Sequence, residues 1–160
     1  MIPPDAESIR HEAFLGSLKK GAPLKFLSSD DRLQRTIPAK LIKQIVTEPD
    51  RTIAVPVEIS NAIIDGALDL RHVTFKSVVT MTGCEFTGPV DFSFSTFEHN
   101  ANLSGSKFTE PAHFRAATMK ADLRIDEATF ADDSKFTDIH VDQVLSAEGT
   151  TFGSRPLLSY

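Results

Sequence analysis

The 160-residue sequence has no tryptophan, one tyrosine and one cysteine. A single thiol, Cys84, cannot build a disulfide framework, and no Cys/His cluster has the spacing of a zinc site. No run approaches about 18 consecutive apolar residues, and the N-terminus lacks a charged start followed by an apolar stretch. Neither a membrane span nor a signal peptide is therefore expected, and the cytoplasm is the default location. No Gly-rich phosphate loop leads into a helix, and no Ser or Cys adjoins a histidine in a visible triad. Positive charge is scarce after the front end: residues 57–154 carry seven Lys/Arg against fifteen Asp/Glu, a net −8, whereas residues 1–56 are near neutral at +2. Such a region repels phosphate backbones, so nucleic acid is not an expected partner and basic partners are.

What the sequence does have is a beat. Two apolar series each advance by eleven residues, one running Phe75, Phe86, Phe97, Phe108, Met119, Phe130, Val141, Phe152 and the other Leu70, Met81, Phe92, Leu103, Phe114, Ile125, Phe136, Ala147. Interleaved, they alternate steps of five and six without a break, and they hold nine of the twelve phenylalanines. Two residues before these positions stands a smaller side chain, as at Val73, Val79, Cys84, Val90, Ser95, Ala101, Ser106 and Ala112. A large and a small residue two apart share one face of an extended backbone, so each pair points into a common core. Neither a 3.6-residue helix nor a single alternating strand sustains a five-plus-six rhythm; a chain that turns a corner at every step and stacks coil on coil does.

Outward residues set the number of corners at four. A 22-residue coil places Lys76, Glu98, Lys120 and Asp142 in one exterior row of alternating sign, stacks Pro89 above Pro111, and aligns Phe86, Phe108, Phe130 and Phe152 in a single column. Three corners would break all of these rows.

Stretches such as Val90-Asp91-Phe92-Ser93-Phe94, Ala101-Asn102-Leu103-Ser104-Gly105 and Ala112-His113-Phe114-Arg115-Ala116 match a unit of small, polar, Leu or Phe, polar, polar. In this the sequence resembles the pentapeptide-repeat family over about 98 residues. The resemblance implies an all-β solenoid, a right-handed quadrilateral β-helix of four to five coils. The sequence differs from the family pattern by one extra residue in every second unit, expected to loosen alternate corners.

The front end reads differently. Pro3-Pro4-Asp5 starts a helix with Ile9, Ala13 and Leu18 on one side and Gly21 as its stop, Ser28-Ser29 before Asp30-Asp31 suggests a short helical turn, and Pro38 opens a helix over 39–47. Residues 1–52 are thus expected to form a small α-helical cap, with 53–154 the β-helix and 155–160 a tail. Ile53, Ile59 and Ile64 fall in register with the columns, so the 39–47 helix is expected to lie on them.

No catalytic residue, metal ligand or cofactor site is expected. Cys84 occupies a small inward slot, and His72, His99, His113 and His140 point outward without stacking on one another. Asp69 and Asp91 stack as a carboxylate pair, Phe94 is the one large aromatic in an outward slot, and Leu157, Leu158 and Tyr160 follow the last repeat; these six residues are the candidate partner surface. A non-catalytic protein–protein interaction or scaffold module is the function expected, with a possible homodimer through the C-terminal coil. The resemblance implies one alternative, a DNA-mimicking modulator of a type II topoisomerase such as gyrase.

Overall fold

The computed structural model describes residues 4–153 and the strand Leu157–Leu158. Its body is a β-solenoid of about five turns with four walls, each a parallel sheet of very short strands. In chain order the walls repeat as I, II, III, IV. Wall I runs from Leu24–Lys25 through Val57–Ser60 and Val79–Thr82 to Leu145–Ser146, and wall II from Thr36–Pro38 through Ile63–Asp65 to Thr151–Phe152. Wall III runs from Leu68–Asp69 to Leu157–Leu158, and wall IV from Thr52–Ile53 to His140–Val141.

The register is 22 residues throughout the repeats, with Val90 beside Leu68 and Ala112, and Phe108 beside Phe86 and Phe130. The phenylalanine column of wall II therefore exists as expected: successive ring centroids lie 4.5, 4.7 and 5.5 Å apart from Phe86 to Phe152, with interplanar angles of 1°, 10° and 13°. Every member of the two apolar series up to Phe136 is buried. The exceptions are Val141, Ala147 and Phe152, all in the last described coil. Small inward slots leave no polar atom stranded. Ser106 donates its hydroxyl to the Met81 carbonyl at 2.7 Å and accepts from the Cys84 amide at 3.1 Å, and Ser134 accepts from the Ala112 amide at 3.0 Å.

The two kinds of corner divide the backbone strain unequally. Five-residue steps turn through one residue in the left-handed region: Asn61, Gly83, Gly105, Glu127 and Gly149 between walls I and II, and His72, Phe94, Ala116 and Asp138 between walls III and IV. Six-residue steps use that region only at Gly66 and Asp133. A side chain on such a residue costs about 1 kcal/mol or more through its Cβ. At Gly105 (φ +70) an added Cβ would meet nothing closer than 3.6 Å, so only the conformational term is felt. Gly105→Ala should lower stability by about 1 kcal/mol. Ala116→Gly, at the equivalent left-handed position of the other short corner, should raise it by a smaller amount; urea midpoints read both.

The front end is only partly helical. Helix α1 (Pro4–Lys20) buries Phe14 and Leu18, whereas Ile9, placed on the inner side by the sequence reading, is 66% exposed and Ala13 is also exposed. The i, i+4 pair Phe14/Leu18 wins because α1 packs on helix α2 (Ala39–Gln44), and Phe26 meets Phe14 edge-on at 5.8 Å. Residues 28–35 form turns, not a helix: Asp30 accepts the Leu27 amide and Asp31 the Leu33 amide, local bonds that compete with helical ones. Helix α2 ends at Gln44, short of Thr47, which bridges back to Thr52.

Leu24–Lys25 pairs with Ile59–Ser60, Thr36–Pro38 with Ile63–Asp65, and Thr52–Ile53 with Thr74–Phe75, while α2 contacts Leu68–Asp69. Residues 24–53 thus trace one irregular coil in the same wall order, with α2 standing where wall III would have a strand. Three strand edges and the end of the apolar columns are covered in this way. Asn61 holds the coil in place by donating to the Phe26 carbonyl at 2.8 Å, and Arg35 donates to the Asn61 carbonyl at 3.0 Å. At the other end Leu157–Leu158 pairs in register with Lys135–Phe136 and extends wall III.

Candidate functional site

Wall III and the short corner that joins it to wall IV bring together the most chemically varied exterior of the rod. Strand alternation sends Leu68, Val90 and Ala112 inward and leaves Asp69, Asp91, His113 and Lys135 in one outward row. Pro89 and Pro111, stacked as expected at the six-residue corner, form the opposite bank of an open groove of about 630 Å³.

Asp69 and Asp91 each close a five-residue corner. Asp69 accepts the Arg71 amide at 3.1 Å and Asp91 the Ser93 amide at 2.9 Å, a bond repeated by Asn102 with the Ser104 amide. The Arg71 guanidinium folds back over the pair, donating to Asp69 at 2.9 and 2.8 Å and lying 3.9 Å from Asp91. That hydrogen bond, more than the charge alone, holds the Asp69 carboxyl at about 2 against burial, which acts the other way. Asp69 is thus ionised near neutrality and is unsuited to hold a proton for acid–base chemistry. Because the folded state binds this proton less tightly than the unfolded chain, whose carboxyl titrates near 3.8, the pair contributes stability above about pH 4. That contribution fades as the pH falls towards 2. Asp69→Asn keeps an oxygen acceptor but removes the charge, so it should flatten the loss of stability between pH 4 and pH 2 in acid titrations followed by circular dichroism.

Phe94 sits at the corner beside this groove, 47% exposed and in the left-handed region at φ 60°. A bulky side chain there is strained. It stacks on His72, one coil back, with centroids 5.1 Å apart and planes 7° from parallel, while the Arg115 guanidinium lies 5.9 Å from the ring centroid on the next coil. Asp69, Asp91 and Phe94 therefore belong to one continuous surface. The 22-residue step already sets His72 against Phe94; Arg71 and Arg115 are the members the sequence does not single out, although they are 44 residues, two coils, apart and so share a row. Leu157 and Leu158 continue wall III in their backbones; their side chains, and Tyr160, lie outside the described residues.

Other candidates take structural roles. Cys84 is buried, with its thiol 3.5 Å from the Thr82 carbonyl and 3.6 Å from that of Ile59, and burial pushes it up to about 11. A nucleophile needs the reverse shift. Among the described residues no group of His, Cys, Asp and Glu is placed to hold a metal ion, and no helix is long and apolar enough to cross a membrane. Threonines 52, 74, 96 and 118 form a ladder on wall IV, flanked by the charged row that begins at Lys76.

A family profile described as "Pentapeptide repeats (9 copies)" matches residues 59–107. Those residues are pentapeptide repeats. The profile covers a little over two coils, and the strands beyond it keep the same 22-residue register to Phe152, so the matched repeats and the rest of the solenoid share one stacking geometry. No curated protein and no solved structure shows significant similarity to the chain. The pentapeptide-repeat architecture accounts for the core, the corner residues and the inward Cys84. It does not account for a strained, half-exposed Phe94.

Proposed function

We propose that this pentapeptide-repeat solenoid is a non-catalytic protein-interaction scaffold that docks another protein on wall III and its Phe94 corner. One observation carries the reading. Phe94 accepts a backbone conformation that costs about 1 kcal/mol and leaves a large ring in solvent, where the equivalent position one coil on is Ala116. Strain at an exposed aromatic, flanked by Arg115 and the Asp69–Arg71–Asp91 cluster, fits an anchor with a polar rim. A photo-reactive phenylalanine analogue placed at position 94 in cells of the native host should give a discrete cross-linked product, and the same analogue at Thr82 on wall I should not. No product from position 94 would overturn the reading.

The charge layout supports this over topoisomerase mimicry. A duplex mimic needs an unbroken acidic wall, and here the Asp69, Asp91, His113, Lys135 row changes sign half-way while wall IV alternates Lys76, Glu98, Lys120, Asp142. In a gyrase supercoiling assay the protein is expected to have no effect even in large excess. The incompletely buried Val141, Ala147 and Phe152 support one further contact, a homodimer through the C-terminal coil.

A further inference from the structure

Wall IV has a symmetry that neither stacking nor the docking face requires. Its exterior row Lys76, Glu98, Lys120, Asp142 is held in register by amides that bond the coil before, at the Ile53, Phe75, Phe97 and Met119 carbonyls respectively. Opposite charges in neighbouring strands would be expected to pair along such a row. Yet among the described residues no ion pair within 4.0 Å joins any two of them; Asp142 instead meets His140 at 2.7 Å. Among the described residues Lys76, Glu98 and Lys120 thus have no ion-pair partner within 4.0 Å, while Asp142 is met within its own coil by His140.

We infer that wall IV is a self-complementary surface for a second copy of this chain, laid face to face with its solenoid axis reversed. A two-fold axis parallel to the wall's strands and midway between the Glu98 and Lys120 coils reverses the row upon itself. Plus, minus, plus, minus then meets minus, plus, minus, plus. Lys76 faces Asp142 of the second copy, Glu98 faces its Lys120, and symmetry makes each contact twice.

The neighbouring rows obey the same operation. The row Val78, Asn100, Asp122, Val144 forms the edge of the wall, tied coil to coil by the Asp122 amide on Asn100 and the Val144 amide on Asp122. Val78 and Val144, 40% and 53% exposed, are two of the few large apolar side chains left in solvent, and reversal places them opposite each other. On the other side Thr96 meets Thr118, small side chains that let the two walls approach.

The patch is about 14 Å long, three coil spacings, and about 13 Å across, so it buries less than the roughly 1,200 Å² of a standard interface. The dimer is consequently weak, with a Kd on the order of 100 μM, and charge pairing makes it sensitive to salt. This contact uses no wall III residue and not the open end of the last described coil, although Asp142 and Val144 stand on that coil's side.

Sedimentation equilibrium on the full chain from about 20 to 500 μM tests the proposal. At low ionic strength the wild type should show a dimer whose Kd rises at least tenfold in half-molar salt. Glu98→Lys alone and Lys120→Glu alone, both at exterior sites, should each weaken it at least tenfold, because each puts like charges face to face twice. Mixed one to one, these two variants should pair with each other, since every facing contact is then opposite in sign, and the double variant should associate like the wild type. A wild type that stays at 17.6 kDa throughout, or a dimer indifferent to either substitution, as one made through the C-terminal coil would be, overturns the inference. Cross-linking at position 94 reports on wall III in either case.

Discussion

Truncating Phe108 to alanine is expected to lower stability by about 4 kcal/mol, among the largest effects available to a single core change. Phe108 is 1% exposed and lies in the middle of the wall II column, its ring 4.5 Å from Phe86 and 4.7 Å from Phe130. Removing it takes away the transfer term of a buried aromatic and two stacking contacts, and it opens a cavity. That cavity cannot collapse. Phe86 and Phe130 are carried by strands fixed above and below by the 22-residue ladder, with the Lys107 amide on the Cys84 carbonyl and the Thr129 amide on that of Ser106. Phe152→Ala provides the control, because Phe152 is only half-buried, stacks on Phe130 at the longer spacing of 5.5 Å and meets Phe136 edge-on at 5.7 Å. Its truncation should cost about 1–2 kcal/mol. Because each coil contacts only its neighbours, the Phe108 variant should also unfold less cooperatively, with a smaller urea slope as well as a lower midpoint. Equal losses at the two positions would mean that the column does not act as the continuous core described here.

This contrast follows from a part of the fold that the sequence makes plain. The column at 86, 108, 130 and 152 is legible because burial is decided by one repeated geometric demand, a large side chain on the axis every fifth or sixth residue. Asp69 over Asp91 and His72 over Phe94 are legible for the same reason, since stacking partners differ by 22. The irregular first coil is hidden because its spacing departs from that number: Leu24 pairs with Ile59, 35 residues on, and Thr36 with Ile63, 27 residues on. A periodicity argument has nothing to hold there. Helix α1 is obscured differently, because which of its sides faces inward is set by α2 and Phe26 and not by its own pattern. The left-handed corners fall between these cases. Gly83, Gly105 and Gly149 sit at multiples of 22 from one another and carry the signal, but Asn61 and Glu127 complete the series with side chains that mask it. The role of Arg71 is not legible in the sequence because it is a matter of reach: its guanidinium turns back on Asp69 instead of out into solvent.

Gly88→Ala is expected to be at least as damaging as the Phe108 truncation, by a mechanism that involves no apolar burial. A Cβ added at Gly88 would lie 2.4 Å from the Gly66 carbonyl carbon, 2.6 Å from its oxygen and 2.6 Å from the Ala67 nitrogen, all backbone atoms of the coil before. Flexible side chains can swing away from such a clash, but backbone cannot unless the two coils separate. Separation is opposed on both sides of the corner, by the Thr87 amide on the Ile64 carbonyl at 3.1 Å and the Leu68 amide on the Pro89 carbonyl at 2.9 Å. Relief therefore breaks ladder bonds in the coil that joins the repeats to their cap, at about 1 kcal/mol each plus the cost of stranding the freed groups. A loss of about 4 kcal/mol or more follows. Gly66→Ala separates this cause from simple loss of glycine freedom: its Cβ would come no closer than 4.0 Å to Ala39, so only its φ of +102° is strained. That variant should fold and lose about 1–2 kcal/mol. If urea unfolding ranks Gly66→Ala as the worse of the two, contact between successive backbones is not what reserves position 88 for glycine, and the tight stacking of the first two repeat coils is wrong.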